Sequence, residues 1–337
     1  MLGTGEEACV CRTHRLHWIT ALGAVIATAL SPAIASEGGS RNLKSGAFTF
    51  APAVMPEPGS TAFMGYVAWL RGTSLHGDSG DAIGHLHLDL AGHAGRLMHT
   101  WDFEWHGLHL TSTANYLIAY ARTNFNGIRD HDADLSALNI EPFMVSRTFH
   151  PRGGGTVKWM SGINYWFPIG HYEPRGNTDP PPHGAPNPQF LANAATHANY
   201  GTGIFETAFT WNPVPTLQID SETYVGFNVT NHRTDYRSGN VAGTELGVTA
   251  WPFSGLPRLG IGAGGYYLHQ FENDHVDGQS FPHHKLEQIA VGPQATYTLA
   301  SGTTLIAKWQ HAMRTRNAVQ GDLFWVLFYI PVAGKPG

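Results

Sequence analysis

The chain has 337 residues, with 20 Lys+Arg, 25 Asp+Glu and 20 His, giving a formal net charge of −5. Charged residues make up 13 % and apolar residues 42 %, against about 25 % and 45–50 % in ordinary soluble domains. Low charge combined with 12 % aromatics argues against intrinsic disorder and against a basic nucleic-acid binder.

A polytopic helical membrane protein would repeat apolar runs of about 20 residues; the only long run here is N-terminal. Arg12 and Arg15 precede the uncharged stretch Leu16 to Leu30, Pro32 comes next, and Ala33-Ile34-Ala35 has the small-x-small pattern of a cleavage site. Residues 1–35 therefore read as a cleaved export signal. Cys9 and Cys11, the two cysteines, both fall inside it, so disulfides and thiolate metal sites are not expected in the mature chain. Residues 36–60 are rich in Pro and Gly and too apolar for a free tail. They are expected either to fold as a partial plug into the periplasmic mouth of the domain formed by residues 61–337 or to remain a disordered tether.

From residue 61 to 337 the pattern has period 2, and no long helical periodicity competes with it. Leu217, Ile219, Val225, Phe227 and Val229 alternate with Gln218, Asp220, Glu222, Tyr224 and Asn228, so one strand face meets an apolar medium and the other is wet. Twelve such segments fall at roughly 61–71, 85–102, 107–122, 136–149, 156–167, 200–211, 216–231, 241–252, 258–271, 285–299, 303–314 and 321–331. Short and long connections alternate between them. An even strand number with sorted connections is the pattern of an all-β, transmembrane antiparallel β-barrel of the bacterial outer membrane. A soluble sandwich or lipocalin-like barrel would also alternate, but with its apolar face inside. The last segment, Gly321 to Ile330, is the aromatic-rich terminal strand that the barrel-assembly machinery reads, although Pro331 and a tail to Gly337 come after it.

In this order the segments carry Glu37-Gly38-Gly39-Ser40, Val54-Met55-Pro56-Glu57-Pro58-Gly59, Phe167-Pro168-Ile169-Gly170-His171-Tyr172, Thr234-Asp235-Tyr236-Arg237-Ser238-Gly239, Gly264-Gly265-Tyr266-Tyr267, Val276-Asp277-Gly278, Val291-Gly292-Pro293 and Gly321-Asp322-Leu323-Phe324-Trp325. In these motifs the chain resembles the outer-membrane family named for the MetA pathway of phenol degradation, also called SphA-type transporters. That resemblance implies passive uptake of small hydrophobic or aromatic compounds, with outer-membrane lipid as the surroundings. Nucleic acid is not an expected partner.

Strand parity assigns a polar lumen to His85, His87, Asp89, His109, Asn115, Lys158, Asn164, Gln218, Asp220, Glu222, Tyr224, Glu245, Gln288, Gln294, Lys308, Gln310 and Arg314. Such side chains either tune selectivity or pair across the barrel as a structural network. The same parity sends Leu86, Leu88 and Leu90 to the lipid, and gathers Gly260, Gly262 and Gly264 on the lumen side. Trp69, Trp101, Trp159, Trp211, Trp251, Trp309 and Trp325, with Tyr120, Tyr165, Tyr267 and Tyr329, lie near strand ends, where aromatic girdles form.

The histidines are scattered, and no helical His-Glu-x-x-His or finger spacing occurs; neither a metal site nor a cofactor is expected. Asp130-His131-Asp132 and Asp274-His275 read as solvated loop pairs. No Gly-x-Ser-x-Gly element occurs to supply a nucleophile, so catalysis is not expected. Asp78-Ser79-Gly80-Asp81 lacks the spacing of a calcium loop. An outer-membrane hydrolase and a structural barrel with a closed lumen are the alternatives to a channel.

Overall fold

The computed structural model describes residues 45–172 and 191–333 together with Asn42. The signal expected over 1–35 lies outside the described residues.

Twelve long strands run antiparallel and close on themselves. They are β1 (Ser60–His76), β2 (Ala82–Trp105), β3 (Leu108–Phe125), β4 (Ile128–Phe149), β5 (Thr156–Pro168), β6 (Thr202–Val214), β7 (Leu217–Asn228), β9 (Val241–Ala250), β10 (Leu259–Gln270), β13 (Glu287–Thr298), β14 (Thr304–Arg316) and β15 (Ala318–Ala333). β1 pairs with β15 from Thr61↔Ala333 to His76↔Ala318. Closure leaves no strand edge whose N–H and C=O groups would face lipid unsatisfied. The remaining short strands β8 (Tyr236–Arg237), β11 (Asp274–Val276) and β12 (Gln279–Phe281) form a separate sheet in the connections.

The outward face is apolar. Val67, Trp69, Leu97, Ile118, Ile140, Phe143, Ile163, Phe205, Leu246, Ile261, Val291, Leu305 and Val326 are all more than a third exposed and lie around the whole wall. Water would not tolerate such a belt, whereas hydrocarbon favours it. The inner face, by contrast, holds Glu141, Glu206, Glu222, Glu245, Arg96 and Lys308, each less than a tenth exposed.

All twelve expected segments are strands, but several run further than their alternation suggested. The connection expected over 123–135 is mostly ladder: Thr123↔Asp130 and Phe125↔Ile128 continue β3 and β4 to a two-residue turn at Asn126-Gly127. Both turn residues have positive φ, 50° and 91°, as a type I′ hairpin turn requires. Beyond the lipid the outward face meets water, so Arg122, Arg129 and His131 replace apolar residues and the alternation fades. Long connections remain at 169–201, 229–240 and 271–286, all at one end. The other end carries the connections 106–107, 150–155, 215–216, 251–258 and 299–303, together with the start of β1 and the end of β15. By this asymmetry the second end faces the periplasm.

The described parts of the long connections are tied to one another and to the wall at the outer end. Asp274 staples two of them: it accepts hydrogen bonds from Gly239 N (2.7 Å), Gln270 Nε2 (2.7 Å) and Tyr236 Oη (2.5 Å). Helix α1 (Leu191–Thr196) packs on β3 and β4.

Candidate functional site

Residues 45–55 lie inside the barrel, with Ala47, Thr49 and Ala53 at most 2 % exposed. The wall strands already pair with each other, so this irregular backbone takes its partners from lumen side chains. Glu245 accepts from Gly46 N (2.7 Å) and Phe48 N (2.6 Å). Lys308 Nζ donates to Ala47 O (2.6 Å). Gln294 Oε1 accepts from Thr49 Oγ1 (2.8 Å), and its Nε2 donates to Thr49 O (3.2 Å). Below, Ala53 N donates to Thr210 Oγ1 (3.4 Å).

The segment fits because the wall is thinned where it passes. A Cβ on Gly247 would stand 1.8 Å from Thr49 O, and one on Gly264 would stand 2.6 Å from Thr49 Cβ. Two glycines on neighbouring strands β9 and β10, directly opposite in register, make a shallow seat for one turn of chain.

Beside this seat is a dense polar cluster. Arg96 forms an ion pair with Glu141, which also accepts from Thr113 Oγ1 (2.6 Å). Asn164 Nδ2 donates to Glu206 (3.0 Å), and Thr210 and Gln218 both donate to Asp220 at 2.8 Å. The Arg96 guanidinium also lies 5.7 Å from the centre of the Phe48 ring. Glu222 is 2 % exposed, and among the described residues its Oε2 has no hydrogen-bond partner. Among the described residues, carboxylates outnumber the buried cations Arg96 and Lys308 in this half.

The outer half of the lumen is different. A cavity of about 230 Å³ there is lined mainly by Leu86, Leu88, Leu117, Leu286, Leu323 and Trp325. Ser45 and Gln310 border it on the periplasmic side, and residues 195–198 on the outer side. Those last residues are held by carboxylates: His197 Nε2 lies 2.9 Å from Asp134 Oδ2, and Asp132 Oδ2 accepts from Thr196 Oγ1 (2.5 Å) and Asn193 Nδ2 (2.9 Å).

Most residues assigned to the lumen by parity point inward. Asn115, Asn164, Gln218, Asp220, Glu222, Tyr224, Glu245, Gln288, Gln294, Lys308 and Gln310 are buried there, while His109 and Lys158 lie half-buried near the periplasmic rim. Four assignments are corrected. His85, His87 and Asp89 face outward, because β2 turns Leu86 and Leu88 into the lumen. Arg314 is also outside, where it pairs with Glu287 at 3.3 Å. A register shift after Ile289↔Arg314, before Ala290↔Ala312, reverses the parity of the end of β14. Trp325, expected in a girdle, faces the apolar cavity.

Parity alone missed Arg96, Glu141 and Glu206. The signal for Arg96 was nonetheless in the sequence. It shares the parity of Leu86 and Leu88, and an arginine facing lipid at the midplane costs about 2–4 kcal/mol. The face that carries it must be the inner one, leucines included.

Neither acid–imidazole pair is the solvated loop pair expected from the sequence: Asp130, His131 and Asp132 lie on β4, and Asp274 is buried. His131 is on the outer wall while Asp132 is occupied by the α1 segment, and Asp274 is filled by three donors. Among the described residues no group of three or more His, Cys, Asp or Glu is placed to hold a metal ion.

A closed twelve-stranded barrel with an apolar outer belt and a buried polar interior is a transmembrane β-barrel of the bacterial outer membrane. Residues 75–328 match the family described as "Putative MetA-pathway of phenol degradation", and the chain belongs to that family. No curated protein sequence matches it. In fold it is similar to the COG4313 outer membrane channel from Pseudomonas putida F1, at 12 % identity and a TM-score of 0.61, over 86 % of this chain and 100 % of that one. The transport unit of the autotransporter AIDA-I from Escherichia coli aligns over 85 % of this chain and 95 % of its own, at 10 % identity and a TM-score of 0.44.

Proposed function

We propose that the barrel is a passive outer-membrane channel for small hydrophobic or aromatic solutes, which occupy the leucine-lined cavity of its outer half. That cavity is the observation that carries the reading. A path for sugars or ions has no use for Leu86, Leu88, Leu117, Leu286 and Leu323 turned inward, whereas an apolar solute gains about 25 cal/mol per Å² of surface it buries there. Residues 45–58 act as a plug on the periplasmic side. Movement is down a gradient, with no cofactor and no energy coupling.

Proteoliposomes test this with phenols, aromatic acids and fatty acids, set against a sugar of similar size. Wild-type protein is expected to admit the aromatic compounds faster than boiled protein does, and Leu88→Asp to slow them several-fold while keeping heat-modifiable migration. Equal rates for wild type and L88D would overturn the assignment. Because the lumen is occupied at both ends of the cavity, a closed structural barrel is the competing reading; it admits none of these compounds.

A further inference from the structure

The outward wall carries a charged row at the outer edge of the lipid belt. Register pairs link His311↔Asp322, Asp322↔Arg71, Arg71↔Asp89, Asp89↔Arg122 and Arg122↔His131, crossing six strands from β14 to β4. The row immediately beneath runs Trp309, Phe324, Trp69, Ala91, Tyr120 and Ala133 by the same registers. Aromatic rings mark the membrane interface, so the charged row stands at the level of the outer head groups.

Along most of the row the charges are matched. Asp322 sits between His311, at 2.9 Å, and Arg71. Asp89 lies 3.0 Å from His87 Nε2. At the β3–β4 end, past the Asp89↔Arg122 pair, the matching stops. Arg122 is followed by His131, and the row above adds Arg129, opposite Asn124. Arg122 and Arg129 are both exposed, and among the described residues neither forms an ion pair, unlike Arg96, Arg237, Arg314 and Arg316. They are diagonal neighbours on one face of an antiparallel pair, an arrangement that places Cα atoms about 7–8 Å apart. An open groove of about 580 Å³ runs between them, bordered by Tyr120, His87 and His131 and also by the carboxylates of Asp89 and Asp130.

We propose that this groove binds a phosphorylated glycolipid of the outer leaflet, with Arg122 and Arg129 gripping its phosphates. The layers of the wall match those of such a lipid. Two guanidiniums, suited to bidentate contact with phosphate oxygens, stand uppermost. Tyr120 comes next, with the Arg122 guanidinium 5.6 Å from its ring centre, and offers a flat face to a sugar. Ile118 and Leu135, 45 % and 41 % exposed, then meet the acyl chains. The site is independent of the lumen and of what passes through it.

The test uses the full-length mature protein in detergent, with bis-phosphorylated lipid A and its dephosphorylated form as probes. Wild type is expected to bind the phosphorylated form at least tenfold more tightly than the dephosphorylated one. The double variant R122Q/R129Q is expected to lose that difference, and R122K/R129K to keep part of it, since lysine retains the charge without the fork. Heat-modifiable migration checks that each variant is folded. The single variant R129Q, changed beside an exposed turn, is expected to show a several-fold loss and stands in if the double variant fails to fold. Wild type that does not distinguish the two lipids, or Gln variants that bind like wild type, would overturn the proposal.

Discussion

Thr49 and the two glycines beneath it show how one side chain more or less decides whether the lumen is filled. A β-carbon at position 247 has nowhere to go: the nearest atom, at 1.8 Å, is the main-chain oxygen of Thr49, and a strand wall yields less easily than an irregular segment lying on it. The prediction is that Gly247→Val lifts the segment and leaves the barrel intact. With Cys9 and Cys11 both in the N-terminal stretch expected to be cleaved, a single cysteine placed at Ala47, 1 % exposed, reports on this directly. Maleimide labelling of A47C in folded protein is expected to be slow, and in G247V/A47C at least tenfold faster. Equal labelling would mean that the seat tolerates the side chain and that the close approach does not hold the segment down.

At the scale of elements, the segment preceding β1 differs from every strand around it. Its contacts to the wall are made by lumen side chains, with Glu245, Gln294 and Lys308 reaching its main chain, so it can leave without breaking any ladder of the barrel. Deleting residues 40–58 is therefore expected to raise single-channel conductance in planar bilayers and to preserve heat-modifiable migration; conductance unchanged by the deletion even when Asp132 and Asp134 are also replaced by alanine would remove the plug from the proposed function. The strands themselves were legible in the sequence, because lipid on one side and polar groups on the other impose period 2 through the membrane. Where that contrast ends, legibility ends with it. On β2 the inner face changes from Arg96 and Thr100 to Leu86 and Leu88 while the outer face becomes His85, His87 and Asp89; a rule that sends apolar residues to lipid inverts the strand. On β14 period 2 holds only up to a register shift before Arg314 that no residue type announces. The polar seat in the periplasmic half was therefore visible residue by residue, and the apolar cavity above it was not. Nor was the role of α1, which depends on Asp132 and Asp134, two residues assigned to a loop and found on a strand.

Considered along its axis, the molecule places two obstructions in series on either side of one apolar cavity: the segment around Ser45 below and residues 195–198 above. Resistances in series add, so the narrower of the two governs flow once the other has opened. The upper obstruction hangs on a pair of carboxylates. Asp132 accepts from Asn193 and Thr196, and Asp134 holds His197 and accepts from His171 N. Replacing both by alanine strands these donors without touching the barrel ladder between β3 and β4, which is made by the main chain. Asp132→Ala/Asp134→Ala alone is expected to change conductance little, because the periplasmic segment still fills its seat. Combined with deletion of residues 40–58, it is expected to raise conductance by more than the two separate increments added together. Simple additivity in planar-bilayer recordings would show instead that the two obstructions lie on separate paths. The cavity between them would then be a side chamber off the route of the solute.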